Sequence, residues 1–214
     1  MPISHEHRSI FIHVPKCGGT SIEVAFGMHA DWRHEDRTRM FGRITSSDLL
    51  ARRFRSRFLQ HLTWRELCSA VPEGERRGYR SFAFVRHPLR RLESAWSRPD
   101  HDLVDEARLH GLRLEGASFP TFVDRVLRLD HPHVRPQVEY LVGADGAVAV
   151  DRLFRFERLA DDARAIMSEC GVPGRLEHRN PPVRDRAGIT WPEELRLRAC
   201  ERYRDDFAIL GYEP

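Results

Sequence analysis

Lysine is nearly missing from this chain. Of 35 basic residues in 214, Lys16 is the only lysine and all the others are arginine. Lysine's flexible point charge and arginine's planar fork are not interchangeable, so a single retained lysine marks a position to inspect. Cysteine is also sparse: Cys17, Cys68, Cys170 and Cys200 are scattered, with no CxxC pair. That spacing excludes a disulfide framework and a zinc-finger site, and it predicts a reducing compartment. No apolar run reaches the length of a membrane span, and the first residues, MPISHEHRSI, carry no signal-peptide core. The net charge is only +3, too little to predict a phosphate-tracking face for nucleic acid.

What remains is an ordinary globular composition, 41% hydrophobic and 31% charged, and one domain over residues 1–214 is expected. Residues 9–14 (SIFIHV) read as a buried strand. The turn PKCGGTS follows, and a helix can begin at Thr20 or Ser21. The pattern returns at 80–97: RSFAFVR reads as a strand, His87 can cap, Pro88 suits a first helical turn, and LRRLESAWS continues as helix. A third strand is expected at 152–157, with a helix over 159–170 stopped by Gly171 and Pro173. A last long helix is expected from a capping box at Thr190 and Glu193, with Leu195, Ala199, Tyr203, Phe207 and Leu210 on its inner face. Strands alternating with helices predict an α/β fold with a mainly parallel central sheet flanked by helices. Residues 29–58, 98–118 and 175–188 lack clear periodicity and read as surface connections.

The segment from His13 to Ser21 carries the most chemistry. Gly18 and Gly19 let a backbone approach an anion closely, Thr20 and Ser21 add hydroxyls at a helix start, and Lys16 adds a mobile charge. It is not a Walker A loop, because Lys16 precedes the glycines instead of following them. The order Pro-Lys-x-Gly-Gly-Thr-Ser after a strand resembles the 5′-phosphosulfate loop of sulfotransferases that use 3′-phosphoadenosine 5′-phosphosulfate (PAPS). The likeness is greatest to the carbohydrate branch, which includes heparan sulfate 2-O-sulfotransferases and bacterial relatives. The stretch Phe82 to Trp96 resembles that family's second signature, an arginine ending a strand and a serine eight residues later, here Arg86 and Ser94. His131 to Gln137, Phe156 to Leu159 and Tyr203 to Tyr212 resemble further family segments.

The resemblance implies a P-loop-NTPase-like sulfotransferase fold. It implies PAPS held by Lys16, Cys17, Gly18, Gly19, Thr20 and Ser21 at its 5′ end and by Arg86 and Ser94 at its 3′-phosphate, with PAP as product and no metal required. Lys16 is expected to act catalytically, following charge onto the bridging oxygen. Gln60-His61-Leu62-Thr63 lies at a capping box, Thr63 with Glu66, with Leu62 and Leu67 where a hydrophobic staple would pin the chain. His61 is therefore the expected catalytic base, the counterpart of the family's histidine between the two loops. His13 and His133 compete for that role, and Glu23 or Glu66 remains open. His13, His133 and Gln137 are placed on the substrate side. The expected acceptor is a hydroxyl of a glycan, glycolipid or small metabolite, and the expected setting is the cytoplasm of a bacterium, without a membrane anchor. A kinase-like phosphoryl transferase and a non-catalytic nucleotide- or polyanion-binding module are the alternatives.

Overall fold

The structure, a computed structural model, describes residues 1–52, 54–177 and 188–214. Two compact units emerge, each discontinuous in sequence: residues 1–85 with 139–180, and residues 86–138 with 181–214. Most of the 175–188 connection lies outside the described residues.

The first unit holds a four-stranded sheet in the order β1 (Ile3–Ser4), β2 (Ser9–Ile12), β3 (Arg80–Val85), β4 (Arg152–Arg155). β1 pairs antiparallel with β2, and the other two pairings are parallel. The register explains why this segment is so rich in phenylalanine. Phe11 faces Phe82 and Phe84 faces Phe154 in the ladder, with ring centroids 5.2 Å apart in both pairs. Cross-strand aromatic pairs of this kind add to the burial of their own area. Ser81, through its main-chain N–H and its hydroxyl, donates to the Asp151 carboxylate at 2.8 Å, fixing the start of β4 against β3.

Helix α1 (Gly19–Ala25) follows β2. Next come α2 (Ser47–Leu50), a short 3-10 turn (Leu59–His61), α3 (Trp64–Ala70) and α4 (Glu73–Arg76). The second unit is helical, with α5 (Pro88–Ser97), α6 (His101–Leu109) and α7 (Phe119–Val126). Then α8 (Val138–Leu141) returns the chain to the first unit, where α9 (Leu159–Glu169) follows β4. The second unit ends with α10 (Glu193–Arg202) and α11 (Arg204–Leu210). A mixed α/β fold with a mostly parallel sheet and flanking helices agrees with the expectation.

Three elements differ from the sequence reading. The last helix begins at Glu193, not Thr190, and no side chain caps it. Pro192 is the cause: a residue before proline is driven out of the helical region, so Trp191 cannot serve as a first helical residue. The same stretch is two helices, because Tyr203 leaves helical geometry at φ −105°, ψ 19°. The charged segment 98–118 contains α6, capped by Asp100, whose carboxylate accepts from the Asp102 N–H at 3.0 Å. Its apolar stripe is only Leu103 and Ala107, too short to stand out among the charges.

Candidate active site

In the first unit, the turn between β2 and α1 requires unusual backbone. Lys16 and Gly18 both lie in the left-handed region, at φ 70° and 81°. Glycine reaches that region freely, whereas a lysine there costs on the order of 1 kcal/mol. Gly19 is needed for a different reason: a Cβ there would sit 2.1 Å from Nε2 of His13. The imidazole therefore occupies the space a side chain would have taken at the helix start. The first turn of α1 contains no acidic residue, so nothing in the turn offsets the positive end of the helix. Cys17 is buried and Lys16 is half-buried. Ser21 lines a cleft with Val24, Ala25, Arg175 and Glu177, and Arg175 was given no role by its sequence position.

His13 is the centre of a buried polar group. Its Nδ1 lies 2.5 Å from Oε1 of Glu23. Its ring stacks on Phe11 and meets the His61 ring edge-on, with centroids 4.7 Å apart. Burial alone would raise the Glu23 carboxyl, but facing His13, with smaller contributions from His29 and His61, brings it down to about 2. An ionised carboxylate only accepts hydrogen bonds, so Nδ1 of His13 carries the proton between them. His61 is pushed the other way. Desolvation and the neighbouring His13 hold it well below the usual histidine value, and the Glu23 charge opposes them only in part. His61 also bonds to the main chain of His13, which orients its ring.

The support under His61 is the one the sequence predicts. The Thr63 hydroxyl accepts from the Glu66 N–H at 3.2 Å, and the Glu66 carboxylate accepts from the Thr63 N–H at 2.7 Å. Glu66 further accepts from the Arg55 N–H, so its carboxylate is engaged in holding this loop. Leu62 and Leu67 are both fully buried. The structure thus brings together His13, Gly19, Glu23 and His61. A glutamate within the mostly apolar run SIEVAF was the only hint that α1 carried a buried carboxylate.

In the second unit, Arg86 directly follows the last residue of β3 and is buried, and Ser94 is half-buried on α5. Gln137 is buried and bonds the main chain of Arg86. His87 precedes α5 but makes no side-chain cap. Its Nε2 meets the Glu213 carbonyl oxygen at 2.9 Å, and its ring packs edge-on against Phe207 and Tyr212. The imidazole is thus directed toward the chain's last residues instead of the helix start. His133 neighbours His131, whose Nε2 is 3.2 Å from Asp102. Among the described residues, no three or more His, Cys, Asp or Glu side chains converge as a metal site requires.

Four arginines of the Arg-rich segment are ion-paired, three of them to carboxylates within it. Arg33, Arg37, Arg39 and Arg55 face Asp31, Asp48, Asp36 and Glu139 respectively. That pairing lowers the net positive field available to a polyanion.

A family model described as the sulfotransferase family matches residues 1–213. The chain belongs to that family. No curated protein and no solved structure matches it. As a sulfotransferase, the chain is a transferase whose general reaction is sulfuryl transfer to an acceptor. Among the described residues of this sulfotransferase, no helix is long and apolar enough to cross a membrane.

Proposed function

We propose that this sulfotransferase takes its sulfuryl group from PAPS and delivers it to a hydroxyl of a glycan, glycolipid or small metabolite, as in the carbohydrate branch, with His61 as the base. The observation that carries the reading is the group of His13, Gly19, Glu23 and His61 at a phosphate-type turn. A neutral imidazole stands there beside a helix start that has no acidic side chain.

The residues fit the donor. Gly18, which takes up the left-handed backbone, and Gly19, which makes room for the His13 imidazole, hold the 5′-phosphosulfate with Lys16, Cys17, Thr20 and Ser21, and Arg86 with Ser94 holds the 3′-phosphate. When bound, PAPS supplies an activated sulfuryl group. His61 is kept neutral by its surroundings, so near neutral pH it can take the acceptor's proton. Ionised Glu23 lies close enough to stabilise the imidazolium that results. Lys16 neutralises charge on the oxygen released from sulfur, where electrostatic stabilisation commonly contributes about 3–4 kcal/mol per donor.

The test is transfer of labelled sulfate from PAPS to a panel of glycans, glycolipids and small hydroxyl metabolites. Wild-type protein labels at least one acceptor, and its rate persists as pH falls through ~6.5, the ordinary histidine value. His61→Ala lowers the rate by roughly 100- to 10,000-fold, the range for loss of a general base. Wild-type turnover in His61→Ala contradicts the base assignment, and no labelled acceptor contradicts the PAPS reading.

A further inference from the structure

The ladder between β3 and β4 ends at Val85, which faces Arg155. Arg86 is the next residue, buried, with a main-chain N–H and C=O that no strand among the described residues takes up. Buried main-chain groups need partners. The Gln137 carboxamide supplies both: its Oε1 accepts from the Arg86 N–H at 2.9 Å, and its Nε2 donates to the Arg86 carbonyl at 2.7 Å. A carboxamide carries the same donor and acceptor as a peptide unit, so Gln137 continues the strand pairing by one residue.

Asp206 decides which way that amide points. Its Oδ2 accepts from the Gln137 N–H at 2.9 Å and from Nε2 at 3.2 Å, and its Oδ1 accepts from the Val138 N–H at 2.9 Å. A carboxylate oxygen beside the amide requires the NH₂ end to face it, which leaves Oε1 toward Arg86. Gln137 and Asp206 are both 0% exposed, so water does not compete for these bonds. The surrounding segment is anchored independently: Arg91 donates to the Arg135 carbonyl at 2.7 Å and Tyr203 to the Val134 carbonyl at 2.6 Å.

We infer that Gln137, oriented by Asp206, is a positioning residue that fixes the main chain of Arg86 and so aims its guanidinium at the 3′-phosphate of the donor. The inference rests on the Arg86 role proposed above. It moves Gln137 from the acceptor side to the nucleotide side and gives Asp206 a part in nucleotide discrimination.

The experiment is calorimetric titration with PAP and with ADP, which lacks the 3′-phosphate, on wild type, Arg86→Ala and Gln137→Met. Methionine keeps the volume of glutamine and loses both bonds. Displacing a positioned group by about 1 Å can cost on the order of 100-fold, so Gln137→Met weakens PAP by about 10- to 100-fold and leaves ADP within about twofold. A purely structural role weakens both nucleotides alike, and that result overturns the inference, as does unchanged PAP binding. If Gln137→Met fails to fold, Asp206→Asn takes its place. It keeps the shape, releases the amide's orientation and lowers the PAP-to-ADP ratio in the same direction; an unchanged ratio overturns the inference. Wild type without a PAP preference removes the Arg86 reading itself. Wild type with a preference that Gln137→Met retains removes only the clamp.

Discussion

Glu23 shows how one residue's surroundings set its chemistry. Its carboxyl is buried and yet ionised down to about pH 2, because His13 lies at 2.5 Å with His29 and His61 around it. The folded value lies below the ordinary 4.5, so the unfolded chain binds more protons in between. Stability from this group is therefore present above about pH 4.5 and is lost as pH falls toward 2. The full effect is about 3 kcal/mol. Urea unfolding across that window shows a shallower pH slope for Glu23→Gln than for wild type; an identical slope contradicts the pairing. The sequence offered Glu23 only as one open choice of base, because its partner stands ten residues earlier on the far side of a turn.

Among the elements, the strand–turn–helix unit was legible because each part has its own local signal. An apolar β-branched run, two glycines and hydroxyl residues at a helix start do not depend on distant contacts. The Thr63 and Glu66 box was legible for the same reason, since both bonds span three residues. The start of α10 was misjudged because the Thr190 and Glu193 spacing ignored the proline between them. What local reading could not give was the reason for Gly19, which depends on the imidazole of His13 lying against it. Gly19→Ala puts a methyl into that ring and costs roughly 1–3 kcal/mol, as other overpacked sites do. A lowered melting midpoint together with a perturbed His13 ring resonance is expected. An unchanged midpoint and resonance contradict the packing.

Across the whole molecule, fold class followed from the alternation of strands and helices, but the division into two discontinuous units did not. Composition does not shift at Val85 and Arg86 or at Val138 and Glu139, where the chain passes between units. Pairing of arginines was hidden in part. Asp48 and Glu139 reach Arg37 and Arg55 only by folding, whereas Asp31 and Asp36 stand within three residues of their partners Arg33 and Arg39. The proposed donor does not depend on these gaps, because it rests on two short motifs, each with local geometry of its own. Together they are proposed to bind a nucleotide bearing both a 5′-phosphosulfate and a 3′-phosphate. The most direct test of that claim is calorimetric titration of the wild-type protein with PAP beside ADP and ATP at equal concentration. Tight PAP binding with feeble ADP and ATP binding is the expected result. Equal binding of all three contradicts the assignment of the donor.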